Sequence, residues 1–224
     1  MQPGLYIVGT PIGNLGDITL RALETLKTAN LIVAEDTRHT RKLLDRYEIR
    51  TPVISCHKFN EASRVETILG RIRGGDAVAL VTDSGMPAVS DPGSRVVAAC
   101  RRNGLPVTVI PGPSAVTSAI ALCGFLGGGF LFEGFLSHKT GARKKRLGEL
   151  AGESVPVVLF ESPYRLVKLM NEIQEVLGPR PLFVGRELTK QFEECRVGTP
   201  AEILAAYRER TIKGELVVVI APAE

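Results

Sequence analysis

The stretch that most constrains this chain begins with an apolar, β-prone run, Ala77-Val78-Ala79-Leu80-Val81. Thr82-Asp83-Ser84-Gly85-Met86-Pro87-Ala88-Val89-Ser90-Asp91-Pro92-Gly93 follows, and then a helix-like segment from Ser94 to Arg102. A strand therefore ends near Thr82 and opens into a loop. In an open α/β sheet, ligands bind past the carboxyl ends of strands. Pro87 and Pro92 fix φ and remove backbone donors, so the loop is stiff and presents carbonyls. Gly85 and Gly93 permit positive φ or close approach. Asp83 and Asp91 add acceptors. Such a loop suits a cationic or donor-rich ligand better than a phosphate, which calls for backbone N–H groups at a helix N-terminus. Gly, Pro, Asp and Ser are also ordinary turn residues, so this stretch alone leaves a plain connector open.

The chain has 224 residues, 44% hydrophobic and 23% charged. That is enough to bury a core as one large domain or two small ones. The net charge of +4 mildly favours an anionic partner. There is no Trp, and only 5% of residues are aromatic, so a stacking platform for single-stranded RNA is not advertised. Cys56, Cys100, Cys123 and Cys195 are far apart in sequence, without metal-ligand spacing, and read as reduced thiols of a cytoplasmic protein. No metal site is expected. The sequence enters a strand at Leu5-Tyr6-Ile7-Val8 without a signal-peptide pattern. The most apolar run, Ala119 to Leu136, is interrupted by Gly124, Gly127, Gly128, Gly129 and Glu133, which argues against a membrane span.

Strand-like and helix-like runs alternate throughout. Strands are predicted at Leu5–Gly9, Leu31–Ala34, Val53–Cys56, Ala77–Thr82 and Val107–Ile110. Further strands are predicted at Phe130–Glu133, Val157–Glu161, Leu182–Arg186 and Leu216–Ile220. A helix is predicted over Ile18 to Thr28, with Asp17 as its N-cap. The alternation gives an α/β class with a largely parallel sheet, and the late strands leave room for antiparallel pairs in the second half. Pro111-Gly112-Pro113 and Gly127-Gly128-Gly129 suggest a boundary. Two α/β domains are expected, 1–113 and 114–224.

Two further loops resemble the first in kind. Gly9-Thr10-Pro11-Ile12-Gly13-Asn14-Leu15-Gly16-Asp17 follows the first strand, but its glycine spacing is not that of the dinucleotide fingerprint. Pro111-Gly112-Pro113-Ser114-Ala115 follows the fifth. Brought together by a sheet, the three loops would form one pocket at its carboxyl edge.

These loops, with Ala34-Glu35-Asp36-Thr37-Arg38-His39-Thr40, Ser90-Asp91-Pro92-Gly93, Phe132-Glu133-Gly134-Phe135-Leu136, Phe160-Glu161-Ser162-Pro163-Tyr164-Arg165, Arg186-Glu187-Leu188-Thr189-Lys190 and Lys213-Gly214-Glu215, run in order along nearly the whole chain. In this the sequence resembles the tetrapyrrole methylase superfamily, the class III S-adenosylmethionine-dependent methyltransferases. Within it, the sequence resembles the branch that methylates the ribose 2′-oxygen of a cytidine in 16S rRNA of the small ribosomal subunit. Many members of that branch continue past the last strand, whereas this sequence stops at Glu224. The resemblance implies two α/β domains with a cofactor cleft between them, S-adenosylmethionine as cofactor, and a homodimer. By position it places Pro11, Ile12, Gly13, Asp83, Ser84, Gly85, Met86, Ser114 and Ala115 at the cofactor. Phe160, Glu161, Ser162 and Leu188 would close the adenine side from the second domain. An apolar surface around Phe125 to Phe135 is the expected dimer contact.

Substrate selection must lie outside loops shared across a fold. Glu35 to Thr40 sets carboxylates, an Arg and a His after the second strand. Arg38, His39, Arg41 and Lys42 are the first candidates to grip RNA phosphates. A second is the basic run Arg143-Lys144-Lys145-Arg146, for which a solvated helix face is the plainer reading. A ribose hydroxyl is a weak acid, so a proton acceptor is expected nearby. Glu35, Asp36, His57, Glu187 and Lys190 are candidates, Lys190 only if burial lowers its pKa. Two alternatives stand beside this reading: a precorrin- or uroporphyrinogen-type methylase, and a non-catalytic ribosome-binding module.

Overall fold

The structure, a computed structural model, describes residues 1–208 and 211–223. Glu224, where the sequence stops, lies outside the described residues. The chain forms two compact units, Met1–Ser114 and Ala115–Glu224.

In the first unit β1 (Gly4–Val8), β2 (Leu31–Ala34), β3 (Val53–Ser55), β4 (Ala77–Val81) and β5 (Val107–Ile110) form one parallel sheet in the order β3-β2-β4-β1-β5. The helices α1 (Leu20–Thr28), α2 (Thr37–Arg46), α3 (Glu61–Arg73) and α4 (Ser94–Arg102) connect them. Every residue of β2 and β4 is buried, because the sheet is covered on both faces. Alternation divides those residues between two cores. Leu31, Val33, Val78 and Leu80 pack with Ile68, Leu69, Val96 and Cys100 of α3 and α4. Ile32, Ala34, Ala79 and Val81 pack on the other face with Ala22, Leu26, Leu43 and Leu44 of α1 and α2. The first helix starts later than its spacing predicts. A 3₁₀ turn occupies Leu15–Asp17, and the cap is Thr19, not Asp17: the Ala22 N–H donates to Thr19 Oγ1 at 3.1 Å.

In the second unit β6 (Leu131–Phe135), β7 (Val157–Glu161), β8 (Leu182–Arg186), β9 (Glu194–Gly198) and β10 (Leu216–Ile220) form a mixed sheet in the order β6-β7-β10-β8-β9. β6 and β7 are parallel. β10 runs antiparallel between β7 and β8, with Leu216 opposite Glu161 on one side and Arg186 on the other. β9 closes the edge, antiparallel to β8. It escaped the sequence reading because Glu-Cys-Arg-Val-Gly contains no apolar run. Its signal is only the alternation of half-buried and exposed positions, the mark of an edge strand. α5 (Ala115–Cys123) lies against β7, β8 and β10. The core cluster of the unit joins strand residues such as Val157, Leu159, Val184 and Val218 to α6 (Thr140–Glu149), α7 (Leu166–Leu177) and α8 (Pro200–Tyr207). No helix among the described residues is long and apolar enough to cross a membrane.

One ion pair is part of this interior. Arg143 of α6 is 1% exposed and is held in a two-bond fork by Glu172 of α7, one bond Arg143 Nη2–Glu172 Oε1 at 2.8 Å and the other Nε–Oε2. Its Nη1 donates to the Ser137 carbonyl at 2.9 Å. The expectation that Arg143 meets an RNA backbone is therefore corrected: its charge is spent inside the fold. Removing one partner strands a buried charge, which typically costs about 3–5 kcal/mol. Arg143→Ala is expected to lose that much in urea unfolding. Lys145→Ala, at an exposed neighbour, is expected to stay within about 0.5 kcal/mol of the parent. Equal stabilities of the two variants would contradict the assignment.

Candidate functional site

The strand order sets β1 between β4 and β5, so the loops leaving these strands are neighbours at the carboxyl edge. They are joined there. Thr10 and Gly85 exchange backbone hydrogen bonds, Thr10 N–H to Gly85 C=O at 2.9 Å and Gly85 N–H to Thr10 C=O at 3.1 Å. The Thr10 hydroxyl donates to the Thr82 carbonyl at 3.1 Å. Gly9 and Gly112 meet backbone to backbone: a Cβ on Gly9 would stand 2.7 Å from Gly112 Cα and 2.7 Å from Met86 Sδ. Gly85 has φ +84°, and a Cβ there would stand 3.5 Å from Ile12 Cγ2 and 3.6 Å from the Pro113 carbonyl oxygen. Pro11, Ile12, Gly85, Met86 and Pro113 thus converge. Pro11, Ile12 and Gly85 are buried, while Gly13 is exposed and Ser84 and Ser114 are half-buried.

The long loop after β4 is also strained and braced. Ala88 (φ 67°) and Ser90 (φ 63°) hold left-handed backbone, a conformation that persists where surrounding contacts impose it and that clusters at functional sites. Glu61, buried at the start of α3, accepts the Gly93 and Arg95 N–H groups, both at 3.0 Å. It thereby caps α4, whose own N-cap residue is Gly93 and makes no side-chain cap.

The loop after β2 joins the same edge. Thr82 Oγ1 donates to Glu35 Oε2 at 2.7 Å, and the Asp36 N–H donates to Asp83 Oδ1 at 3.1 Å. Burial raises the Asp83 carboxyl. The Asp36 N–H opposes that rise, the Glu35 and Asp36 carboxylates add to it, and His39 offsets part. Asp36 caps α2 by accepting from the Arg38 N–H at 2.8 Å, and its side chain pairs with the Arg38 guanidinium at 3.0 Å. Those bonds hold its carboxyl down at about 2, so it is a poor proton acceptor near neutrality. Arg38, His39, Arg41 and Lys42 are all exposed on or beside this turn of α2.

At the matching edge of the second sheet, Phe160 packs edge-on to Phe132 with ring centres 5.1 Å apart. Glu161 is buried, accepts the Ser162 N–H at 2.7 Å and pairs with Arg165 at 3.2 Å. Burial raises its carboxyl, against the Ser162 N–H and the nearby cations. Leu188 is buried over Gly185, flanked by left-handed Glu187 (φ 51°) and Thr189 (φ 67°). Lys190 Nζ donates to Glu187 Oε1 at 2.8 Å and Glu215 Oε2 at 2.9 Å. Burial works against the Lys190 ammonium, but the two carboxylates win and its pKa is raised. The condition on which Lys190 was a candidate proton acceptor, a pKa lowered by burial, is therefore not met. Burial raises Glu187, but Lys190 and the Glu215 N–H reverse that and leave it lowered. A Cβ on Gly214 would collide with the Glu187 side chain, and the backbone there, at φ +92°, also favours glycine.

The basic run on α6 is largely neutralised. Besides the buried Arg143, Lys144 pairs with Glu175 at 2.5 Å, and Arg146 pairs with Glu133 at 2.5 Å and Glu149 at 2.9 Å. Lys145 is exposed, with Glu149 only at 4.0 Å. Among the described residues no group of three or more His, Cys, Asp or Glu is placed to hold a metal ion. The first-unit rim offers a carboxylate beside carbonyls where glycines permit close approach. Those features fit the amino and sulfonium groups of S-adenosylmethionine.

The raised Asp83 carboxyl has a stability consequence. Its folded pKa lies above the ordinary value of about 3.9, so stability is lost as pH rises from that value through the folded pKa. Asp83→Asn removes the buried charge. At pH 7 it is expected to be at least as stable as the parent in urea unfolding, with the difference closing below about pH 4. A clear loss of stability at pH 7 would show that the ionised carboxylate supports the fold.

The comparisons with known proteins agree with this geometry. The sequence pattern of the Tetrapyrrole (Corrin/Porphyrin) Methylases family matches residues 4–204. A Thermotoga maritima protein named ribosomal RNA small subunit methyltransferase I is 45% identical over 98% of this chain and 99% of its own length. Its namesake in Synechocystis is 47% identical over 98% of this chain and 79% of its own length. That of Bacillus subtilis is 40% identical over 96% and 74%. The solved structure of a cobalt precorrin-4 methyltransferase shares the fold, with a TM-score of 0.73 and 22% identity over 97% of this chain and 94% of that one. Uroporphyrin-III C-methyltransferase of Thermus thermophilus, in complex with S-adenosylhomocysteine, has a TM-score of 0.68 at 22% identity, covering 96% of each chain. The chain belongs to the tetrapyrrole methylase family and, within it, to the family of ribosomal RNA small subunit methyltransferase I.

Proposed function

We propose that this protein transfers a methyl group from S-adenosylmethionine to the ribose 2′-oxygen of a cytidine in 16S rRNA of the small ribosomal subunit. The observation that carries the proposal is the fusion of the Gly9–Gly13, Asp83–Met86 and Pro111–Ser114 loops in a chain matched almost end to end by a ribosomal RNA methyltransferase. A tetrapyrrole substrate is disfavoured, because the tetrapyrrole enzymes share only the fold at 22% identity. The cytoplasm is the compartment this reading implies.

When bound, S-adenosylmethionine supplies an electrophilic methyl group on a sulfonium. The chain must hold that group, hold the ribose and accept the hydroxyl proton. Asp83 and the neighbouring carbonyls hold the cation, and Pro11, Ile12, Gly13, Ser84, Gly85, Met86, Ser114 and Ala115 shape its surroundings. Positioning supplies much of the rate. Of the five proton-acceptor candidates, Asp36 is capped and acidic, and Glu187 is tied to the protonated Lys190. Glu35 and His57 remain, both on loops at the carboxyl edge of the first sheet. Of the phosphate-binding candidates drawn from the sequence, Arg38, His39, Arg41, Lys42 and Lys145 are the exposed ones. A symmetric dimer through Leu126, 89% exposed, with Phe130 and Phe135 belongs to the same reading; a monomer by light scattering at micromolar concentration would reject it.

The deciding experiment offers tritiated S-adenosylmethionine with small subunits, free 16S rRNA and uroporphyrinogen in parallel. Label is expected in RNA, at a 2′-O-methylcytidine after nuclease digestion. Arg38→Ala is expected to reduce transfer strongly while leaving calorimetric affinity for the cofactor unchanged. Label in the tetrapyrrole alone would overturn the proposal.

A further inference from the structure

The loop after β3 carries an aromatic ring that the fold does not use. Phe59 is 93% exposed, and exposure forgoes the hydrophobic gain that burial of a phenyl ring brings. The ring stands on a backbone that is firmly held. The His57 N–H donates to Asn60 Oδ1 at 2.7 Å, and the Asn60 and Glu61 N–H groups both donate to the His57 carbonyl at 2.9 Å. Glu61 is itself anchored to the start of α4. Asn60 does not cap α3 through its side chain. It spends that side chain on this turn, and the turn presents Phe59 outward with His57 edge-on to the ring, centres 6.2 Å apart.

What surrounds the ring decides what it meets. β3 lies beside β2, Ala34 opposite Ser55, and the pairing continues with the Cys56 N–H donating to the Ala34 carbonyl at 2.7 Å. The loops leaving these strands therefore start side by side at the carboxyl edge. One carries exposed Lys58 and Phe59; the other carries Glu35 and leads into Arg38, whose side chain is 90% exposed, and His39. Cations set for a phosphate backbone beside one free aromatic face are the combination that binds a single-stranded nucleic acid. An apolar protein partner would be better met by a patch of several apolar side chains than by one ring among charges.

We propose that Phe59 stacks on a base of single-stranded RNA next to the target nucleotide, while Arg38 and Lys58 hold the adjoining phosphates. This rests on the reading that RNA is the substrate, and it adds the residue that grips a base. The sparse aromatic content of the sequence hides such a platform, because one ring is enough when the loop fixes it.

The protein has no Trp, so Phe59→Trp makes a single-tryptophan reporter at the site. Titration with a ten-nucleotide cytidine-rich RNA is expected to quench its emission, with weaker binding at higher salt. In methyl transfer to small-subunit RNA, Phe59→Ala and Phe59→Leu are expected to lose about tenfold or more in kcat/KM, and Phe59→Tyr to stay within about threefold. Cofactor affinity and urea midpoint are expected to be unchanged in all of them. Absence of quenching, or a Phe59→Ala enzyme as fast as the parent, would overturn the inference. Quenching that grows with protein concentration without RNA would overturn it too, assigning the ring to self-association. Failure of the parent protein to methylate any RNA would sink the proposed function instead, and the titration reads RNA stacking without needing turnover.

Discussion

The contact on which the site depends is the meeting of Gly9 and Gly112. Two backbones pass so closely that a methyl group on either would collide with the other. That approach brings the β1 and β5 loops together, and the Thr10–Gly85 pair of hydrogen bonds ties the β4 loop to them. Gly9 and Gly112 serve here by lacking a side chain, whereas Gly85, at φ +84°, serves by its freedom of φ. Three separate turns become one rigid surface, and binding to a preorganised surface loses less entropy than ordering loops on contact.

The second unit reaches order at its own carboxyl edge largely through charge pairs. Glu161 with Arg165, Arg143 with Glu172, and Lys190 between Glu187 and Glu215 fix the loops after β6, β7 and β8. Arg143, Glu172 and Glu161 are buried and Arg165, Glu187 and Lys190 half-buried, where attraction is weakly screened and an unpaired member is costly, whereas Glu215 is exposed. The two edges differ in chemical character accordingly. At the first edge Glu35 and Asp83 are held by hydroxyl and backbone N–H donors rather than by cations, whereas at the second the carboxylates are paired with Arg and Lys.

The sequence revealed strand positions within a residue or two and the three loops that converge, because apolar β-prone runs and Gly-Pro-Asp turns are local signals. It missed β9, whose five residues carry no apolar run. It misread Arg143 through Arg146 as one basic patch, since charge in a linear run says nothing about helix phase. Arg143 turns inward onto Glu172, while Lys145 turns outward. For Lys190 the sequence left the direction open, because burial alone lowers an ammonium while its two carboxylate partners come from residues 187 and 215, the second far along the chain. Phe59 gave no signal: a single Phe between Lys and Asn reads the same whether it packs inward or stands in solvent.

The proposed function requires the fused loops of the first unit to receive S-adenosylmethionine. Amide hydrogen exchange on the unmodified protein, with and without saturating cofactor, tests it without disturbing the Gly9–Gly112 contact. Slowed exchange is expected across 9–14, 82–93 and 112–115, with the exposed face of α2 unchanged. Unchanged exchange in those loops, with protection appearing elsewhere, would contradict it.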